Sequence, residues 1–353
     1  IIFYIKIIGE TMKQLKIVAL IAGLFAFTSA QAGEVSVTGS MQATYQSNND
    51  ITTGNPLGMN TDLTFSGSTD TDFGTATWTM ATDGTFVGEA GADHSFKIAT
   101  DMGTIGIGNS GDAANAVDDI TPSAFEEANG SGSGTYTTDF GSGMDGSMSL
   151  SYANGDLMGT GISVAYNYYP KLDGKTNNEK GASENTNAAS ASAQSVNVGI
   201  PLAGLPIIGD TVLGGMKLTA GYEENDSRTL NARDKLGGTV AAVLPVGPLS
   251  IGYQKKGYQA AATTVSEANK AFFKDDILGI AYAVNEDFAI SYNIIESAKH
   301  DHAAGEVEQE TKAINLAYTV GGLTLGFQDA KTNNAGYSEN TSDDSRTISV
   351  KTA

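Results

Sequence analysis

Residues 110 to 145 carry seven carboxylates: Asp112, Asp118, Asp119, Glu126, Glu127, Asp139 and Asp145. No Lys or Arg occurs between Lys97 and Lys171. Acids gathered in one Gly- and Ser-rich stretch can act on ions in two ways. They can hold a hard cation through oxygen ligands. They can also set the field of a water-filled passage, where low-dielectric walls concentrate it and acidic rings favour cations. Asp118, Asp119, Glu126 and Glu127 lie mid-stretch beside Pro122 and are the candidates for such a constriction. The plainer reading of each is a solvated loop carboxylate.

Bond-making chemistry finds little footing. Cys is absent, which excludes disulfide scaffolds, thiolate zinc, iron–sulfur clusters and thiol catalysis. The three histidines, His94, His300 and His302, fall in or near expected loops. His300 and His302 form an H-x-H pair without a third metal ligand in sight. The run GTIGIGN (103–109) lacks the helix and Lys of a nucleotide loop. No Ser, Asp and His are arranged as a hydrolase elbow or triad. The chain is therefore not expected to be an enzyme. No cofactor is expected, apart from Ca²⁺ that pairs such as Asp118-Asp119, Glu223-Glu224 and Asp343-Asp344 could hold weakly. These pairs lack EF-hand spacing. With 40 Asp+Glu against 20 Lys+Arg, the net charge of −20 argues against a nucleic-acid partner.

The elements around these acids are legible as strands. In EVSVTGSMQATYQ (34–46), Val35, Val37, Gly39, Met41, Ala43 and Tyr45 alternate with Ser36, Thr38, Ser40, Gln42, Thr44 and Gln46. The same period of two recurs in SMSLSYAN, ISVAYNYY, PLSIGYQ, FAISYNII, INLAYTV and LTLGFQ. That period marks antiparallel strands with two unlike faces. Eight long polar gaps alternate with seven short ones, which divides the chain into sixteen strands. The long gaps include 110–145, 258–272 and 297–310. The short ones include 203–211, where LAGLPIIGD could extend a strand. An even count with both chain ends on the short-turn side predicts an up-and-down barrel.

The faces say what the barrel separates. One carries aliphatics with Tyr and Phe at the strand ends. The other carries Ser, Thr, Asn, Gln and Gly, which cannot build a dry core because buried polar groups need partners. A barrel with lipid outside and water inside suits both, since closure pairs every backbone group. A secreted two-sheet protein is the competing reading. The mean hydropathy of −0.14 fits a chain of which half the strand residues meet lipid. By parity Lys97 points into the lumen, since Phe96 and Ile98 point to lipid, and Lys217 and Lys256 follow by the same argument.

The first residues read as processing signals. Residues 1–11 look like upstream read-through. Met12 opens a basic n-region, Ile17–Phe27 is an apolar run of 11 residues, and Ala30-Gln31-Ala32 is an A-x-A cleavage site. Residues 12–32 are thus expected to be a signal peptide and 33–353 the barrel. Losing Lys6, Glu10, Lys13 and Lys16 leaves 39 acidic and 17 basic residues.

The ordered set of these features resembles the Gram-negative general porins, and the alphaproteobacterial type in particular. The features are the first strand EVSVTGSMQATYQ, the turn and Gly-punctuated strand in FKIATDMGTIGIGN, the long gap 110–145, and its closure on SMSLSYANGDLMGTGISVAYNYY. The resemblance is best over 33–169 and rests on strand rhythm beyond that. It implies an all-β, sixteen-stranded antiparallel transmembrane barrel in the cell outer membrane, assembled as a homotrimer. It also implies that the third external loop, 110–145, folds inward as an eyelet. The activity implied is passive diffusion of small hydrophilic solutes and ions. The family's usual basic cluster opposite the eyelet is missing, with Lys97 the one basic residue of the first five strands, so a cation preference is expected. The family ends on an aromatic, whereas TISVKTA does not, which suggests a C-terminus cut short. The other readings of such a barrel are a surface adhesin or structural protein, a solute-specific porin, and an outer-membrane enzyme.

Overall fold

The structure, a computed structural model, describes residues 35–48, 55–83, 93–126, 128, 140–141, 144, 146–172, 190–227, 233–259, 272–301 and 305–352. The expected signal peptide and the residues before it lie outside these. Sixteen strands run in chain order. They are β1 (Ser36–Asn48), β2 (Leu57–Thr71), β3 (Gly74–Asp83), β4 (Asp93–Thr100), β5 (Gly103–Gly108), β6 (Ser149–Asn154), β7 (Ser163–Tyr169) and β8 (Ser190–Pro201). Then follow β9 (Lys217–Ser227), β10 (Lys235–Val246), β11 (Leu249–Gln259), β12 (Phe272–Ala283), β13 (Phe288–Asp301), β14 (Gly305–Val320), β15 (Leu323–Asn333) and β16 (Ser342–Thr352). Each pairs antiparallel with its chain neighbours, and β16 returns to β1 to close a barrel. Closure leaves no edge of unpaired N–H and C=O groups, the condition a membrane imposes on a sheet.

Register keeps like side chains together. Tyr253 opposes Leu278, Ile280 opposes Tyr292, and Tyr292 opposes Ile314. Leu316 opposes Phe327, Phe327 opposes Ile348, and Ile348 opposes Tyr45. An exposed apolar stripe therefore runs from β11 round to β1. A slip of one residue would turn every one of these side chains to the other face. That other face is polar and crowded. Asn315 Nδ2 donates to Asn293 Oδ1 at 3.0 Å, Gln328 Nε2 to Asn315 Oδ1 at 2.8 Å, and Gln42 Nε2 to Ser349 Oγ at 2.9 Å. Amides that bridge strands satisfy one another, so the polar face is not an energetic liability where water is scarce.

Three expectations need correction. The gap placed at 297–310 is mostly strand: β13 and β14 stay paired out to Asp301 and Gly305. Backbone pairing continues beyond the point where apolar side chains stop, so a polarity break marks the end of the greasy band and not of the ladder. His94 and His300 accordingly lie on β4 and β13, with His300 Nδ1 3.2 Å from Glu306; His302 lies outside the described residues. Finally, LAGLPIIGD does not extend β8. The connection 202–216 holds two single 3-10 turns, Leu202–Gly204 and Val212–Gly215. Ile207 between them adopts φ 76°, a left-handed conformation no strand accommodates.

Candidate ion-selecting segment

The connection between β5 and β6 is pinned at its root. Asn109 accepts the His94 N–H on its side chain at 2.6 Å and donates its own N–H to the His94 carbonyl at 2.9 Å. Asp112 then turns the chain. Its Oδ1 accepts the Ala114 N–H at 2.9 Å and the Ser195 hydroxyl from β8. A carboxylate accepting local N–H groups starts a turn in the way a helix N-cap does. One 3-10 turn follows at Asn115–Val117.

From there the segment lies along the polar face of the barrel wall, strand after strand. Ala113 donates its N–H to Asn167 Oδ1 on β7 at 3.1 Å, and its carbonyl accepts from Asn197 Nδ2 on β8 at 2.6 Å. Gln254 on β11 reads three backbone groups. Its Nε2 donates to the Val117 and Asp118 carbonyls at 2.9 and 2.7 Å, and its Oε1 accepts the Ile120 N–H at 3.1 Å. Asn293 on β13 donates to the Pro122 carbonyl at 3.0 Å, and Ser291 accepts the Ala124 N–H at 2.9 Å. Gln328 on β15 donates to the Glu126 carbonyl at 3.2 Å. Fourteen residues, 113 to 126, thus touch five strands that span half the barrel's circuit.

Glycine in the wall makes the approach possible. A Cβ on Gly252 of β11 would collide with the Pro122 ring, and one on Gly326 of β15 with the Phe125 ring. Apolar contacts supplement the hydrogen bonds. Ala114, Val117 and Phe140 pack together beside Ile120, and Ala128 packs with Ile277, Ile295, Ala313 and Ala330.

The expected constriction residues are placed as follows. Asp118 and Asp119 sit where the segment passes β11, and Glu126 where it passes β15; all three are half-buried. Asp119 Oδ1 is 3.3 Å from the Nζ of Lys256, a lysine whose side chain is almost wholly buried. Lys97 is exposed on β4, opposite Thr77 of β3 and Gly106 of β5, far round the circuit from β11–β15. Glu127, Asp139 and Asp145 lie outside the described residues. Glu223 and Glu224, adjacent in β9, point to opposite faces of the strand. Glu223 is fully buried on the polar face of β9, while Glu224 on the other face accepts from Gln194 at 3.1 Å. Among the described residues no three His, Asp or Glu side chains form a metal-binding group.

Sequence reasoning missed the wall groups that hold the segment: Asn167, Ser195, Asn197, Gln254, Asn293 and Gln328. It also missed the buried pair of Lys235 Nζ and Glu223 Oε1, 3.2 Å apart beside Phe140. Their only signal was an amide, hydroxyl or charge on the polar parity, which most polar-face residues share.

No protein-family model matches the chain, and no curated protein matches it. Solved structures do. OmpT, an outer membrane protein of Vibrio cholerae in its trimer form, superposes with a TM-score of 0.63 at 12% identity, over 91% of this chain and 99% of that one. The chain has a porin fold. A porin of Rh. blastica gives 0.56 at 14% identity, over 90% and 99%. The outer membrane channel DcaP of Acinetobacter baumannii gives 0.59 at 13%, over 92% and 99%. The porin fold therefore extends over nearly the whole chain, at identities that speak for architecture alone.

Proposed function

We propose that this chain is an outer-membrane porin, a passive channel for small hydrophilic solutes and ions with a preference for cations. It works as a homotrimer and its lineage is of the alphaproteobacterial type. In this reading the apolar face meets lipid and the polar face lines an aqueous lumen. The segment after β5 is an eyelet, folded inward to narrow that lumen.

The observation that carries the reading is the course of residues 113–126. Its hydrogen bonds to the polar faces of β7, β8, β11, β13 and β15 support an inward course, where an adhesive surface loop would project away. In this reading Asp118, Asp119 and Glu126 border the water-filled lumen, and the segment has no Lys or Arg of its own. Lys256 stands 3.3 Å from Asp119 and offsets part of its charge. The work is selection by size and charge, with no bond made or broken.

The test is the reversal potential of the refolded protein in a planar bilayer under a KCl gradient. The expected result is stepwise insertion in threes with a cation-selective potential, weakened in Asp118→Asn/Glu126→Gln. A folded barrel without conductance refutes the pore. An anion-selective pore keeps the channel and refutes the role given to these acids.

A further inference from the structure

The connection from β15 to β16 turns back over the wall. β15 ends at Asn333, opposite Glu310 of β14. The chain then crosses β14 towards β13 and β12 before it enters β16 at Ser342. Asn334 Nδ2 donates to the Glu308 carbonyl at 2.8 Å, and the Gly336 N–H to Gln309 Oε1 at 2.9 Å. The Tyr337 hydroxyl lies 2.7 Å from the Ser297 hydroxyl of β13. Its ring packs on Phe273 of β12, with centroids 5.7 Å apart. Gln309, Ser297 and Phe273 all have the polar parity of their strands, and Gln309 and Ser297 are buried. Tyr337 is half-buried, so part of its surface stays open to solvent.

One rung of the ladder receives this connection. Ser297 opposes Asp275 on one side and Gln309 on the other. Ser297 Oγ donates to the buried Asp275 carboxylate, so its one proton is committed and it accepts from the Tyr337 hydroxyl. The rung that holds the segment 113–126 lies further from the long connections. There Asn293 opposes Gly279 and Ala313. Asn293 binds the Pro122 carbonyl, and a Cβ on Gly279 would collide with that same carbonyl. Asn293 and Ser297 are four residues apart, as are Gly279 and Asp275. Four residues span about 13 Å of strand, or roughly 10 Å of barrel height at the usual tilt. Between the two rungs stand Ile277 and Ile295, on which Ala128 packs. The two connections therefore lie on one sector of the wall, at two heights.

The connection is tied to itself as well. The Asn334 N–H donates to the Thr341 carbonyl at 2.7 Å and closes the loop at its base. Thr341 Oγ1 donates to the Ala335 carbonyl at 2.9 Å, and the Asn340 N–H to Asn334 Oδ1 at 3.0 Å. Asn334, Tyr337 and Asn340 take φ values of 53°, 56° and 61°. Asn visits this left-handed conformation readily, because its short polar side chain bonds locally. Tyr does so seldom. Such a conformation persists where the surroundings over-determine it, and here the ring and the hydroxyl of Tyr337 are both engaged. The side chain thus has a fixed place.

We infer that Tyr337 makes a second, fixed narrowing of the lumen, on the long-connection side of the segment 113–126 and against the same strands, β12 to β14. A solute entering from that side meets the Tyr337 ring before it meets the acids. The ring is neutral, so it restricts by size and leaves the choice of ion sign to the acids. The inference rests on the reading of the polar face as an aqueous lumen. Within that reading, it assigns size and charge selection to different connections.

The test compares the refolded wild type with Tyr337→Gly and Tyr337→Cys in planar bilayers, and in liposomes swelling in pentose or trisaccharide. Gly takes the left-handed backbone without strain. The chain has no Cys, so a thiol at position 337 is unique. Both variants should raise single-channel conductance and raise trisaccharide entry relative to pentose, with the reversal potential under a KCl gradient unchanged. A bulky neutral thiol reagent should then lower the current through Tyr337→Cys. The same reagent should leave the current through Lys331→Cys unchanged, since Lys331 is exposed on the outward parity of β15. Tyr337→Asn, suited to the same backbone angle, carries the same expectations should the other two variants not fold. Wild-type conductance and sugar discrimination in folded variants overturn the second narrowing and leave the pore intact. A reversal potential that shifts along with conductance overturns it as well, because the ring would then act by placing the acids. A folded wild-type barrel that does not conduct overturns the pore reading itself.

Discussion

Replacing Gln254 by Leu removes the most heavily used anchor of the segment 113–126 while nearly conserving volume. Gln254 is fully buried and contacts the Val117 carbonyl, the Asp118 carbonyl and the Ile120 N–H, and also donates to Thr239 Oγ1 at 2.9 Å. Leu supplies none of these bonds. Leaving a buried donor or acceptor unsatisfied costs about 1–3 kcal/mol. Val117 is buried, whereas Asp118 and Ile120 are half-buried and can recover part of the loss from water. A total of about 2–3 kcal/mol against the docked segment is the expected result. At 1.4 kcal/mol per factor of ten, the undocked population rises roughly 30- to 150-fold. The barrel itself should persist, since none of its ladder bonds uses this side chain. Two assays follow the segment. Hydrogen exchange at the Ile120 amide should speed up by that factor, with strand amides unchanged. Single-channel records should show added open-state noise and a weaker cation preference, because Asp118 and Asp119 lose their fixed place. Unchanged exchange at Ile120 together with an unchanged current record would refute the argument that this one amide holds the segment to the wall.

Further outcomes are expected of other changes. Lys256→Gln removes the partner of Asp119 and should raise cation preference, read as a larger reversal potential under the same KCl gradient; no change would mean that this pair lies outside the ion path. Gly326→Leu drives a side chain into Phe125 and should displace the segment at β15 and alter conductance. Gly238→Ala, whose added carbon meets nothing nearer than 3.8 Å, should leave conductance as it is, so equal effects from the two would discount the close approach. Selectivity should also fade between 0.1 and 1 M KCl, since the screening length drops from ~10 to ~3 Å; selectivity independent of salt would point to size exclusion in place of the acidic field.

The strands were readable because a barrel wall imposes one rule on every residue, an alternation between two solvents. That rule placed Val35 to Gln46 and gave sixteen strands with the right order of connections. It failed where the rule does not apply. The ladder of β13 and β14 runs on to Asp301 and Gly305 because backbone hydrogen bonds do not depend on side-chain polarity. Leu205 to Ile208 are apolar without being strand, since the backbone at Ile207 is left-handed. Such features are decided by local geometry, which a two-letter pattern does not record.

The segment's attachment is harder still to read, for a physical reason. Gln254, Asn293 and Gln328 bind main-chain carbonyls and N–H groups, which every residue of the segment presents alike, save that Pro122 has no N–H. These amide contacts therefore leave little mark on the segment's own side chains. What selects the docking site is the wall, which needs a long amide on the polar parity and a glycine where Pro122 or Phe125 must come close. Gly252 stands two residues before Gln254, and Gly326 two residues before Gln328. Each pair shares the polar face of its strand. The glycine admits a ring of the segment and the amide two places on ties down its backbone. The G-x-Q spacing on β11 and β15 is thus the trace that the docking leaves in the sequence.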